Sequence, residues 1–121
     1  MIRLARVGEA SVSEGKAMFF TVGEIERQRT QSGQAYREFL RLPALSAGLY
    51  VLAPGAKDQQ RPHHEDEMYY VVRGKARFRA GEEDQEVSAG SILFVAAEVG
   101  HRFYDIVEEL AVLVFFAPAE T

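Results

Sequence analysis

The 121-residue chain contains no cysteine and no tryptophan, and it has only three histidines and four prolines. Without cysteine it can form no disulfide, no thiolate zinc site and no cysteine nucleophile. No apolar run approaches the roughly 20 residues a membrane-spanning helix needs. The longest is Leu110 to Ala117, eight residues. The opening M-I-R-L-A-R lacks the apolar stretch of a secretory signal, so the expected compartment is the cytoplasm. A net charge of −4 offers no attraction to nucleic acid or to an anionic membrane. The patterns G-x-x-x-x-G-K-[ST], G-x-G-x-x-G and G-x-S-x-G are all absent, so phosphate-cradling loops and a serine elbow are not expected.

What is present reads as one small globular domain. Hydrophobic residues make up 47% of the chain and charged residues 26%, ordinary values for a folded core under a wet surface. Ile2 and Leu4 alternate with Arg3 as in an edge strand, and Met18-Phe19-Phe20 is a short apolar run. Thr21-Val22-Gly23-Glu24 forms a capping box. A short surface helix is expected to follow, through Ile25 to about Ser32, with Gly33 as its stop. Its charges read as a solvated face rather than a basic recognition surface.

From Tyr36 the pattern becomes β. Expected strands are Tyr36 to Leu42, Ala47 to Ala53, Met68 to Arg73, Lys75 to Ala80, Gln85 to Val87, Ser91 to Ala96, His101 to Val107 and Leu110 to Ala117. Turn signals separate them, including a type II turn at Pro54-Gly55. Many short strands at near-regular spacing point to an all-β sandwich or barrel. Residues 1–35 read as an N-terminal extension and 36–121 as the barrel, within one domain. Lys75, Arg77 and Arg79 share one strand face. They read as its wet side, with Glu82, Glu83 and Asp84 balancing them.

One stretch concentrates the chemistry: R-P-H-H-E-D-E-M-Y-Y-V-V-R-G, from Arg61 to Gly74. Two imidazoles and three carboxylates fill His63 to Glu67, and a strand-like apolar run follows at once. The third histidine, His101, follows another strand-like run. Histidine is the commonest metal ligand, and here every histidine lies at a strand end.

Gly55 to Gly74 resembles the first motif of the cupin family. Glu67 and Gly74 keep its spacing, and His63 stands four residues before Glu67. Gly90 to Asp105 resembles the second motif, ending on His101. Four positions depart from the pattern. Arg61 stands where the first histidine falls, Ala96 where proline is usual, Glu98 where glycine is usual and Asp105 where asparagine is usual. The resemblance implies a double-stranded β-helix, the jelly-roll barrel of small single-domain cupins, with one short N-terminal helix. It also implies that residues 1–20 contact a second copy in a homodimer.

Period-two alternation places Glu67, Tyr69 and Val71 on one face and Met68, Tyr70 and Val72 on the other. It likewise groups His101, Phe103 and Asp105. With both faces inward, His63, Glu67 and His101 form a trio suited to Fe(II), Mn(II), Ni(II) or Zn(II), with open positions. Gln60 is a candidate fourth group. Asp58 can orient His63 from behind, and His64, on the opposite face of the strand, is expected to be partly exposed or to support the ligands from behind. Tyr69 and Phe103 are expected to wall a pocket for a small molecule. Two functions remain open: a metal-dependent enzyme of oxygenase or isomerase type, and a non-catalytic cupin that carries or senses a small ligand. An acid or base beside the trio would separate them, with Asp105, Glu98 and Tyr69 as candidates.

Overall fold

A computed structural model describes residues 17–121. The edge strand expected at Ile2 and Leu4, and most of the 1–20 segment expected to meet a second copy, lie outside the described residues. Helix α1 spans Val22–Ser32. Its N-cap is Thr21, whose hydroxyl accepts from the Glu24 N–H at 3.2 Å. It ends at Gly33, which is left-handed (φ 72°) and donates to the carbonyls of Arg29 and Thr30. The helix begins directly after the Thr21 cap, as the capping box predicts, with Val22, Gly23 and Glu24 in its first turn. Ile25 is its one buried residue.

Six strands follow: β1 (Tyr36–Leu42), β2 (Leu45–Leu52), β3 (Asp66–Ala80), β4 (Glu83–Ser88), β5 (Ile92–Val95) and β6 (His101–Ala117). They form one antiparallel sheet in the order β1-β2-β6-β3-β4. β3 pairs with β5 over Glu67 to Tyr70 and with β4 over Lys75 to Ala80. β3 and β6 are therefore the spine, and the sheet curls around them into a jelly roll.

The sequence pattern divides each spine strand in two, but each is continuous. At Gly74 (φ 104°) and across Glu108-Glu109 the strands bulge instead of ending. A methyl group on Gly74 would overlap the Glu109 carbonyl oxygen and the Leu110 Cα. Glycine here permits a close approach of two strands, a role that reads in sequence like a terminator.

Two apolar layers hold the fold. Inside the barrel, Tyr69, Val71, Phe78, Phe103, Leu110, Val112 and Phe116 pack together. Outside it, Ile25 and Phe20 cover Phe39, Ala47, Leu49 and Ala111. Phe20 meets Phe39 edge-on at 4.9 Å. Arg73 ties the helix to the bulge by pairing with both Glu26 and Glu109. The β3–β4 hairpin neutralises its wet face as expected: Asp84 pairs with Arg77 and Arg79.

Candidate metal centre

Alternation along β3 turns Glu67, Tyr69 and Val71 inward, and all three are buried. His101 opens β6 on the facing strand. His63 comes from the loop before β3, and its carbonyl accepts from the Glu98 N–H at 2.7 Å. The three side chains converge: His63, Glu67 and His101 each offer a ligand atom, all within 4.8 Å of one another. His101 Nε2 lies 3.0 Å from Glu67 Oε1, and His63 Nε2 lies 3.9 Å from it. Ligands about 2.1 Å from one ion sit roughly 3 to 3.5 Å apart; the His101–Glu67 separation is of that size, and His63 stands slightly further out.

The protons decide what the cluster is for. Nδ1 of His101 faces the Val99 carbonyl at 2.9 Å. A carbonyl only accepts, so Nδ1 carries the hydrogen and the neutral ring presents a bare Nε2. Nδ1 of His63 lies 3.5 Å from the Glu120 carboxylate, which favours the same tautomer. The Nε2 atom of His63 lies 3.2 Å from Gln60 Oε1: it donates there in the tautomer that protonates Nε2, and in the other tautomer the bare nitrogen faces that oxygen. Gln60 is held that way round because its Nε2 donates to Asp58 at 2.9 Å. The Tyr69 hydroxyl oxygen lies 3.1 Å from both Gln60 Oε1 and His101 Nε2, and its single proton serves only one at a time. Neither oxygen of the buried Glu67 has a hydrogen bond. Its approach to His101 is close but lacks hydrogen-bond direction.

The cluster thus has more buried acceptors than donors. An unpaired buried carboxylate is costly, and a divalent cation removes that cost. The residues fit a metal ion, with Gln60 Oε1 beside the His63 Nε2 atom.

Electrostatics agree with this arrangement. Burial pushes the His101 pKa down, but Glu67 and the Val99 carbonyl outweigh it and the net shift is upward. Burial and the Glu67 charge hold Tyr69 well above its ordinary value, so it remains a donor. Burial also raises Glu120, partly opposed by His63.

Several expected roles change. Asp58 contacts Gln60 rather than His63; it accepts from the Tyr50 hydroxyl (2.8 Å), Gln60 and the Phe103 N–H (2.9 Å). Asp105 leaves the inner face. Its backbone is left-handed (φ 47°), which breaks the alternation and gives the inward position to Ile106. Glu98 and His64 pair with each other at 2.7 Å on the exposed surface. Phe103 is fully buried against Tyr69 and Phe78, one layer behind the site. The cavity beside the trio holds about 200 Å³, and its walls include Tyr36, Tyr50, Val114 and Phe116.

Glu120 also lines this cavity, and no motif or periodicity marks it. It follows Pro118 in what reads as a tail. Contacts from four directions pin that tail: the Ala119 N–H to the Pro43 carbonyl, the Glu120 N–H to Ser46, Arg41 to the Glu120 carbonyl, and Thr121 to the buried Glu65.

A jelly-roll barrel with histidines and a glutamate converging in its lumen defines a class of small β-barrel proteins. The chain belongs to the cupin family: the cupin domain model matches residues 48–116. An uncharacterized protein of Streptomyces coelicolor is 44% identical over 102 residues, covering 84% of this chain and 97% of that protein. Among solved structures, a Thermus thermophilus protein superposes with a TM-score of 0.67 at 22% identity, covering 85% of this chain and 99% of its own. An RmlC-like cupin from Shewanella frigidimarina gives 0.64 at 21% identity, covering 69% and 75%. At these identities the structures establish a shared fold. Among the described residues no helix is long and apolar enough to cross a membrane.

Proposed function

We propose that this chain is a metal-dependent enzyme acting on a small organic molecule in the barrel lumen. His63, Glu67 and His101 are its ligands, and Gln60 is the fourth group. The observation that carries the reading is the buried Glu67 carboxylate, without a hydrogen bond and facing two imidazole Nε2 atoms. Fe(II), Mn(II), Ni(II) and Zn(II) all suit two imidazoles and a carboxylate. A bound ion would supply Lewis-acid activation of a substrate or water oxygen.

The chain's own groups do the rest. The Val99 carbonyl and Glu120 hold the two imidazoles in one tautomer. Asp58 fixes Gln60, and the Tyr69 hydroxyl donates into the site. Glu120 faces the cavity as a carboxylate able to take or return a proton. Asp105 and Glu98 face solvent, so Glu120 is the acid or base that favours an enzyme over a passive carrier. The non-catalytic reading would gain if Glu120→Gln left turnover of an identified substrate unchanged.

Elemental analysis of alanine variants at positions 63, 64, 67 and 101 tests the ligand set. Loss of metal at 63, 67 and 101, with retention at 64, is expected. Equal loss at 63 and 64, or no uptake of any of the four metals by the unmodified chain, would overturn it.

We also propose a homodimer, expected at residues 1–20, with the outer sheet face as a further surface open to a second copy. Met68 (44% exposed) faces Phe94 (62%) and Tyr70 (41%) faces Ile92 (65%), beyond the area that α1 covers. Four such side chains expose on the order of 400 Å². That is about half of one partner's share of a standard interface. A two-fold contact across this face gives a homodimer. A monomer by sedimentation at micromolar concentration would refute it.

A further inference from the structure

The cavity beside the trio has a composition that selects its ligand by charge. It holds about 200 Å³, below the roughly 300–1,000 Å³ of drug-sized ligand sites. Among the described residues, no lysine or arginine lines it. Its charged groups are the Glu120 carboxylate and the imidazole of His63. Glu67 and Asp58 lie buried close behind. Its apolar surface is largely aromatic. Tyr36 and Tyr50 meet at 72° with centroids 6.2 Å apart, and Phe116 meets the His63 ring edge-on at 4.8 Å. The Tyr36 hydroxyl is buried and has no hydrogen-bond partner among the described residues. Its ring lies over Gly48, where a Cβ would collide with it, so the absence of a side chain on β2 makes room for it.

We propose that this cavity binds a small organic cation, an ammonium or other onium centre, between the rings of Tyr36, Tyr50 and Phe116 and the carboxylate of Glu120. Aromatic faces attract cations, more strongly where water is excluded, and a carboxylate completes the recognition. An anionic ligand would meet carboxylates and no fixed cationic side chain. A neutral one would gain from neither the rings' quadrupoles nor Glu120. The unpartnered Tyr36 oxygen can accept from an ammonium N–H. The inference rests on the lumen being the ligand site, as proposed above, but it does not require the metal.

The test uses three probes of similar shape and different charge: tetramethylammonium, tert-butyl alcohol and pivalate. Binding to the full chain is measured by calorimetry at pH 8, with and without chelator, and metal content is determined separately. Tetramethylammonium is expected to bind at least about 10-fold more tightly than tert-butyl alcohol, with no pivalate binding in chelator. Glu120→Gln, matched in shape, is expected to weaken the cation about 10-fold. Equal binding of the neutral probe, tighter binding of pivalate in chelator, or an unchanged affinity in Glu120→Gln would overturn the proposal. A metal-free protein that still prefers the cation would sink the metal reading and leave this one standing. A metal-loaded protein with a flat charge series would do the reverse.

Discussion

Glu67→Gln separates stability from metal binding in one substitution. Glu67 is 1% exposed, and neither oxygen has a hydrogen bond. Leaving a buried acceptor unpaired costs about 1–3 kcal/mol, and more for a charged group. Glutamine keeps the shape and removes the buried charge, 3.0 Å from His101 Nε2. Above the titration of His101, no proton on Nε2 neutralises Glu67, so the comparison belongs at about pH 8.5. In chelator the variant should be more stable by about 1–3 kcal/mol, a rise in Tm of about 5–15 °C for a chain this size. With metal at 100 times its Kd the unmodified chain gains about 2.7 kcal/mol, and the variant gains nothing. Thermal unfolding followed by circular dichroism reads both arms. A variant less stable than the parent in chelator, or one that keeps the metal-induced rise, would refute the reasoning.

Three further outcomes are expected. Gly74→Ala combines a φ of 104° with a collision against the β6 backbone, so it should cost about 3 kcal/mol or more in chemical denaturation; a loss under 1 kcal/mol would mean the bulge relaxes freely. Asp58→Asn removes an acceptor from a carboxylate serving three donors and should cost about 1–3 kcal/mol, with metal affinity falling as Gln60 is freed to flip. By proton NMR His64 should titrate above 6.5, the ordinary histidine value, because the Glu98 side chain hydrogen-bonds its charged form; its raised folded pKa means the pair stabilises the fold below about pH 6.5 and loses that effect as pH rises through the folded value, and Glu98→Gln should abolish the shift.

The sequence made the inner face of β3 legible because period-two alternation is unbroken from Glu67 to Val71, and the burial follows it residue by residue. The helix was legible because capping chemistry is local: Thr21 and Gly33 mark its ends without help from the rest of the chain. Alternation failed at Asp105, where one left-handed residue resets the period, and it failed to join the halves of β3 across Gly74. Glycine looks the same in a turn and in a bulge, and only the partner strand distinguishes them. Glu120 was out of reach for a different reason. Its place in the cavity is fixed by Pro43, Ser46, Arg41 and Glu65, each distant in sequence.

Three of the four departures from the family motif fall into two physical kinds. Glu98 (φ 71°) and Asp105 (φ 47°) are the two non-glycine residues with positive φ among the described residues. They stand where the motif usually has glycine and asparagine, the residues that enter the left-handed region most readily. Those positions therefore ask for a backbone shape rather than a functional group. Both bends persist here, at about 1–3 kcal/mol of strain each, and they bracket the segment that carries His101 and Phe103. Arg61 is different, because it replaces a ligand and no backbone adjustment can restore one. The neighbouring Gln60 turns its amide oxygen to 3.2 Å from His63 Nε2, with Asp58 locking the orientation. An amide oxygen is a weaker and harder donor than imidazole. A site completed by Gln60 should therefore hold its metal less tightly than one with a third histidine, and it should favour Mn(II) or Fe(II) over softer ions.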